Sequence, residues 1–231
     1  MTREPAIHEQ RLITAISSLT RTTRFRLAAT TPLAMDVGHP QGLTRWGENW
    51  LISTVYPRER RGAIHEVSSD GTVVRTIDVT DGDRIHPGGI DVYTVDDSPR
   101  CWIPVAEYRP HSTTTLLLID RHLKVEHRVH IDDHIGAVCE LHDGTLLGVS
   151  WGSRTLYRFS TSGQILERRN NPSHVVDHQD LQVLGPSAVL ATGVGEIHVD
   201  HGPRQIGALT IIDPTSLHLV QEVPVMHSMP S

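Results

Sequence analysis

The sequence lacks several features that would assign it to a familiar class of protein. No run of about 18 residues is entirely apolar, so the chain offers no candidate transmembrane helix. Aromatic residues make up only 4% of it, and no run of Lys or Arg resembles a nucleic-acid-binding patch. Its N-terminus lacks the apolar core of a secretory signal. We therefore expect a cytoplasmic protein that binds neither membranes nor nucleic acids.

Cysteine is also scarce. The only two, Cys101 and Cys139, lie in strand-like apolar runs. A cytosolic chain of this size needs no disulfide, so the sequence predicts two reduced thiols in the core. Histidine, in contrast, is abundant, with 16 in 231 residues.

Four of these histidines open similar segments at regular intervals. HPQGL begins at His39, HPGGID at His86, HIGAV at His134 and HQDLQ at His178, which gives spacings of 47, 48 and 44 residues. A period of roughly 20 to 50 residues is typical of repeat architectures. Each interval contains four strand-like runs separated by turn residues, as in the blades of a propeller. The sequence thus predicts an all-β propeller with four clear four-stranded blades, at approximately 39–85, 86–133, 134–177 and 178–226.

The remaining residues, 1–38, are predicted to close this single domain of residues 1–231. Within them HEQRLITAISSL resembles a short amphipathic helix, and TRFRLAAT resembles one further strand. His227 lies 49 residues beyond His178 and continues the period. Propellers commonly hide open sheet edges by completing a blade with a terminus. We therefore expect five blades, the last one incomplete or completed by the N-terminal segment.

Propeller geometry should bring the four histidines together. The first strand of each blade lines the central channel, so equivalent strand starts approach one axis. We predict that His39, His86, His134 and His178 ring the mouth of this channel. Because imidazole is a common ligand of transition metals, the ring predicts a bound divalent transition-metal ion, with zinc and iron as the favoured candidates. Histidines that merely cap turns are the alternative, and Asp177 could either orient an imidazole or form a turn.

The ends of the second strands should decorate the same face. Glu107 and Tyr108 are the predicted catalytic residues, with Glu107 as general base. Arg109 and Arg154 are predicted to hold a substrate carboxylate, because guanidinium groups bind carboxylates with two hydrogen bonds. The full set of predicted substrate-binding residues is Tyr56, Arg58, Arg109, Trp151, Ser153 and Arg154. The pattern favours a small, anionic or polar ligand, and ordinary surface charges are the alternative for the arginines.

Several segments also carry a resemblance. HPGGID, VAEYRP, DDHIG, SWGSR and NPSHVVDHQD resemble a bacterial and fungal propeller family of unknown function, from about residue 36 to 225. The organisation is more distantly similar to gluconolactonase and senescence-marker hydrolases and to streptogramin lyase, which implies a metal or a catalytic His and Glu at the channel mouth. Those relatives bind metal mainly through Glu, Asn and Asp, whereas this chain offers His, which favours a transition metal over calcium. Family members also run further at the C-terminus, which implies an incomplete closing blade.

The functional expectation is a metal-dependent hydrolase or lyase that acts on a small ester or lactone. A metal held by some three of the histidines would polarise a carbonyl or activate a bound water. One alternative is a non-catalytic propeller that binds a small ligand or a partner protein. Another is an iron- or copper-dependent oxidoreductase. The sequence leaves the substrate and the oligomeric state open.

Overall fold

The computed structural model describes residues 3–173, 176–200 and 202–225. These residues form a β-propeller of four antiparallel sheets, in which consecutive strands pair through short turns. The predicted all-β propeller with four blades is therefore confirmed, whereas the expected fifth blade is not found among the described residues. His227 lies outside the described residues.

The first and second blades account for residues 39–131. The first blade contains β1 (His39–Trp46), β2 (Asn49–Tyr56), β3 (Arg61–Val67) and β4 (Val73–Asp78). The second contains β5 (Arg84–Pro87), β6 (Asp91–Val95), β7 (Ser98–Glu107), β8 (Thr114–Ile119) and β9 (Val125–Ile131). Strands β5 and β6 both pair with β7, so together they form the inner edge of this blade.

The third and fourth blades repeat the four-stranded pattern. The third contains β10 (Ile135–Glu140), β11 (Leu146–Ser150), β12 (Thr155–Phe159) and β13 (Ile165–Asn170). The fourth contains β14 (Asp177–Gly185), β15 (Ala188–Val199), β16 (Gly202–Ile212) and β17 (Leu219–Val225). Hydrophobic clusters fill the seams between consecutive blades, and examples of facing residues are Leu51 with Ile103, Leu116 with Phe159, and Leu147 with Leu181.

The seam between the fourth and first blades is closed by the N-terminal segment. Helix α1 (Arg3–Ser17) packs Ile13 and Ile16 against the fourth blade. The Ala34 N–H donates to the Gly71 carbonyl oxygen in the first blade (3.0 Å). The predicted helix is confirmed, but the predicted strand at residues 23–30 is wrong, and residues 3–38 form no part of a fifth blade. Phe25 and Leu27 in that stretch find no apolar surface to cover and stay exposed.

The propeller axis is filled by the inner strands. A Cβ added to Gly89 would lie 2.4 Å from the Gln179 carbonyl oxygen in the fourth blade and 2.7 Å from Ala137 Cβ in the third. A Cβ on Gly42 in the first blade would lie 2.8 Å from Gly89 Cα. The first, third and fourth blades thus all contact the Gly88-Gly89 pair of the second blade. Backbone contact therefore closes the central channel at this level.

Both cysteines are buried as free thiols, as predicted. In the part of the chain that the structure covers, no helix is long and apolar enough to cross a membrane.

Two buried carboxylates tie the inner strands together. Asp91 Oδ2 accepts a hydrogen bond from the Val183 N–H (2.8 Å), which joins the second blade to the fourth. Asp180 Oδ2 accepts one from the Leu43 N–H (3.0 Å), which joins the fourth blade to the first. Burial raises the pKa of Asp91 to about 7 and the pKa of Asp180 well above its usual value. Asp91 therefore stays protonated in the folded state at pH values that would ionise it in the unfolded chain.

We expect Asp91→Asn to change how stability depends on pH. Because the folded state binds the extra proton, this group makes the free energy of unfolding fall as pH rises from about 4 to about 7. Asparagine does not titrate, so over this window the variant should gain roughly 3 kcal/mol relative to the wild type. Urea unfolding at the two ends of the window measures this difference. Parallel stability curves for the two proteins would rule out the effect.

Candidate functional site

A cavity of about 240 Å³ opens at the end of the propeller where the inner strands begin. Its walls come from all four blades. The residues that line it are His39, Gln41, His86, Tyr108, His134, Gly136, Ser150, Trp151, Gly152, Asp177, His178 and Gln179. The four predicted histidines, Tyr108 and Trp151 thus border one space.

Irregular strand starts shape this cavity. The pairing register shifts between Pro40 and Gly42, between Ile135 and Ala137, and between His178 and Asp180. A bulge of this kind leaves one residue out of the ladder and redirects its side chain. The three skipped residues, Gln41, Gly136 and Gln179, all line the cavity.

His134 is held in one orientation by the loop that follows β7. Its Nδ1 lies 2.9 Å from the Arg109 carbonyl oxygen and 3.0 Å from Ser112 Oγ. A carbonyl oxygen only accepts hydrogen bonds, so Nδ1 carries the hydrogen and Nε2 keeps its lone pair. Burial lowers the pKa of His134, which keeps the ring neutral at pH 7. His134 therefore presents a fixed, unprotonated nitrogen on its other side.

His86 lies beside His134 and is also neutral. Their ring centroids are 5.4 Å apart, and Tyr108 packs on the other side of His86 at 4.8 Å. Burial, followed by the nearby His134 and His39, lowers the pKa of His86 to about 3. His86 Nδ1 is the one buried side-chain polar atom without a hydrogen-bond partner in the described residues. Such an unpaired buried nitrogen is costly and is characteristic of functional positions.

The other two histidines are placed differently. His178 Nε2 lies 3.2 Å from Thr210 Oγ1, and its Nδ1 lies 3.4 Å from the Asn171 amide nitrogen. Both nitrogens of His178 thus have partners within the protein, one in the fourth blade and one in the segment that precedes it. His39 lies exposed on the rim, where its Nδ1 contacts Gln41 Nε2 (3.0 Å). The predicted ring of four converging imidazoles is therefore reduced to the pair His86 and His134.

A metal centre needs more than this pair supplies. Catalytic zinc sites usually have three protein ligands. Across residues 3–173, 176–200 and 202–225, no group of three or more His, Cys, Asp or Glu side chains is arranged to hold a metal ion.

The predicted general base and the predicted carboxylate-binding arginines lie in ion pairs outside the cavity floor. Glu107 Oε2 accepts from Arg109 Nη2 (2.6 Å) and is absent from the cavity wall. Arg154 Nη2 pairs with Asp177 Oδ1 at the rim. The predictions that Glu107 lies beside a substrate and that Arg109 and Arg154 are free to bind one are therefore corrected: each of these side chains lies in an ion pair, and none lines the cavity.

Three other predicted substrate-binding residues also lie outside the cavity. The Tyr56 hydroxyl in the first blade donates to the Asp36 carbonyl oxygen of the N-terminal segment (2.9 Å). Arg58 is exposed in the turn after β2. Ser153 is buried, and its Oγ accepts from the His178 N–H (2.9 Å). Tyr56 and Ser153 thus have structural roles, since both support neighbouring segments.

Four polar residues of the cavity wall were not predicted as ligand contacts: Gln41, Ser150, Asp177 and Gln179. Gln41 lies two residues after His39 and Gln179 directly follows His178, and this proximity to the repeated histidines was the only sequence signal for them. Asp177 was expected to orient an imidazole or to form a turn, yet it lines the cavity.

The sequence pattern of one family, described as a family of unknown function (DUF6454), matches residues 4–231. The chain belongs to this family. The DUF6454 match confirms the resemblance to a propeller family of unknown function. Among curated proteins, none matches the chain.

Solved structures share the fold of this DUF6454 chain. A protein of unknown function from Bacteroides caccae has a TM-score of 0.53 at 11% identity, over 80% of this chain and 60% of its own. The tail fiber of Staphylococcus aureus phage P68 has a TM-score of 0.56 at 9% identity, over 94% and 46%. Virginiamycin B lyase from Staphylococcus aureus has a TM-score of 0.49 at 14% identity, over 86% and 59%. The chain thus spans less than two thirds of each of these structures, and such low identities show the fold alone.

Proposed function

We propose that this DUF6454 protein is an enzyme that hydrolyses or eliminates a small ester or lactone in the cavity, with His134 as the general base. The observation that carries the proposal is the hydrogen bond from His134 Nδ1 to the Arg109 carbonyl oxygen. It fixes the tautomer in which Nε2 is basic, and an oriented neutral imidazole is the commonest general base in enzymes. Trp151 packs edge-on against His134 with ring centroids 4.7 Å apart, which helps to hold the imidazole in place.

In hydrolysis, His134 Nε2 would take a proton from a water molecule while the water oxygen attacks the ester carbonyl carbon. The bond from that carbon to the leaving oxygen then breaks, and the proton on Nε2 passes to the leaving oxygen. In elimination, Nε2 would instead take a proton from the carbon next to the one that bears the ester oxygen. A carbon–carbon double bond then forms as the carbon–oxygen bond breaks, the carboxylate leaves with the bonding electron pair, and the proton on Nε2 passes to solvent.

The neighbouring residues support a transient positive charge on His134. His86 stays neutral because of its lowered pKa, so it does not repel the imidazolium. The Arg109 carbonyl oxygen accepts the Nδ1 hydrogen more strongly once the ring is charged. Tyr108 lines the same cavity and packs against His86. Its predicted catalytic role remains a prediction.

The proposal is tested with two probes, the lactone dihydrocoumarin and the ester 4-nitrophenyl acetate. We expect turnover that saturates with substrate for at least one of them. A protein that binds both probes but converts neither would be a ligand-binding propeller, and the enzyme proposal would be rejected.

A second candidate keeps the predicted divalent transition metal, zinc or iron, between His86 and His134. The ring separation of 5.4 Å supports it. Two imidazoles on one tetrahedral ion, each with a metal–nitrogen bond of about 2.1 Å, would have centroids about 5 Å apart. Both rings are also neutral, as metal binding requires. A third ligand is missing from the arrangement, and His39 would have to turn inward to supply it.

Elemental analysis of protein purified without a histidine tag tests this candidate. If this second candidate holds, the wild type will contain about one zinc or iron per chain and His86→Ala will lose it, because the variant would keep only one of the two imidazole ligands. His218→Gln, which removes an exposed histidine, should retain the metal. A metal-free wild type, or full metal content in His86→Ala, would exclude a metal at this position.

A further inference from the structure

The charged groups around the cavity are unevenly distributed. Asp177 is the one Asp, Glu, Lys or Arg side chain among the described residues that line it. The other polar side chains of the wall are imidazoles, amides and hydroxyls. An anionic ligand would therefore meet a carboxylate without a lysine or arginine in the wall to offset it.

The nearby arginines do not make the cavity favourable for an anion. Arg109 is paired with Glu107 (2.6 Å), and Arg154 is paired with Asp177 at the rim. The Arg154 and Asp177 side chains are both about half exposed, at 53% and 46%. An exposed ion pair contributes only about 0 to 1 kcal/mol, so a cationic ligand can displace Arg154 from Asp177 at little cost.

The cavity also offers aromatic faces and hydrogen-bond acceptors. Trp151 and Tyr108 are partly exposed, and their ring centroids lie 6.2 Å apart. Aromatic faces attract cations and accept flat apolar groups. His134 Nε2 adds a neutral acceptor, since its Nδ1 hydrogen is already donated to the Arg109 carbonyl oxygen.

From these features we infer that the cavity selects a small ligand with an ammonium group on a flat apolar body, and that Asp177 binds the ammonium. This inference rests on the site of the proposed function and defines its substrate class. It reverses the expectation of an anionic substrate, because the arginines that supported that expectation are paired with carboxylates outside the cavity floor or at its rim.

Three probes with the same phenol ring test the charge preference: tyramine is cationic, p-cresol is neutral and 4-hydroxyphenylacetate is anionic. Isothermal titration calorimetry gives a dissociation constant for each. We expect tyramine to bind about fivefold more tightly than p-cresol, and 4-hydroxyphenylacetate to bind most weakly. Equal or tighter binding of the anion, or no binding of tyramine, would overturn the inference.

Two variants assign the preference to Asp177. Asp177→Asn should weaken tyramine binding about fivefold and leave p-cresol binding unchanged, whereas Arg154→Gln should strengthen tyramine binding because it frees the carboxylate. Glu48→Gln is the control, since it removes one negative charge from a fully exposed side chain. A tyramine preference that survives Asp177→Asn, or that Glu48→Gln reduces equally, would contradict the role of Asp177.

These results can be separated from the test of the proposed function. Conversion of dihydrocoumarin or 4-nitrophenyl acetate depends on the base His134, whereas the binding order depends on Asp177. Turnover without a cation preference would leave the enzyme proposal intact and remove only the substrate class. A cation preference without turnover would leave the ligand inference intact and remove the enzyme proposal.

Discussion

Gly88→Ala is expected to destabilise the folded protein by roughly 3 kcal/mol or more, enough to lower its melting temperature by several degrees. A Cβ at this position would lie 2.0 Å from the Gly136 carbonyl oxygen and 2.7 Å from the Gly136 carbonyl carbon. Both are backbone atoms of the third blade, so a side-chain rotation cannot relieve the overlap. The second and third blades would have to separate where they meet at the axis.

Gly136→Ala is the matched control for this effect. A Cβ there would have its nearest neighbours at 3.7 and 3.8 Å, which is ordinary van der Waals contact. We expect this variant to unfold within about 1 kcal/mol of the wild type in urea. Equal stability of Gly88→Ala and Gly136→Ala would contradict the close packing of blades at the axis.

The blade repeat could be predicted because it follows from short-range patterns. Strand-like runs alternate with turn pairs such as Asp70-Gly71, and the His39, His86 and His134 segments recur at nearly constant spacing. The close approach at Gly88 and Gly89 was also foreseeable, since two adjacent glycines at the start of an inner strand allow backbone contact. These features depend on neighbouring residues alone.

Side-chain direction at the strand ends could not be predicted in the same way. Glu107 and Tyr108 are adjacent, yet only Tyr108 lines the cavity, since β7 ends at Glu107 and Tyr108 lies in the bend that follows the strand. Arg109 then pairs with Glu107. The bulge at His178 similarly has no sequence signature, and the ring of His178 bonds Thr210 inside its own blade.

The N-terminal segment shows a further limit of sequence patterns. Residues 23–30 alternate in the manner of a strand, but a strand needs a free sheet edge and an apolar surface beneath it. Helix α1 instead packs Ile13 and Ile16 against the fourth blade. Whether a segment pairs as a strand depends on which distant surfaces remain uncovered, and the pattern of residues 23–30 alone does not show this.

His134→Gln is expected to lower kcat/KM on the converted probe by about 100-fold or more. Glutamine retains an N–H that can donate to the Arg109 carbonyl oxygen, but its amide has no basic nitrogen to replace Nε2. The loss should therefore arise in the chemical step and leave the melting temperature close to that of the wild type. In the wild type, turnover should fall in acid as His134 becomes protonated, and because burial lowers the pKa of His134 this decline should begin at a lower pH than for a free imidazole.

Comparison of kcat/KM for His134→Gln and His218→Gln is the most direct test of the central claim, that a basic His134 in the cavity performs the chemistry. His218 is exposed in the turn before β17, so its replacement controls for unspecific catalysis by a surface imidazole. The account predicts a loss of about 100-fold in His134→Gln and wild-type turnover in His218→Gln. Wild-type turnover in a correctly folded His134→Gln protein would contradict it.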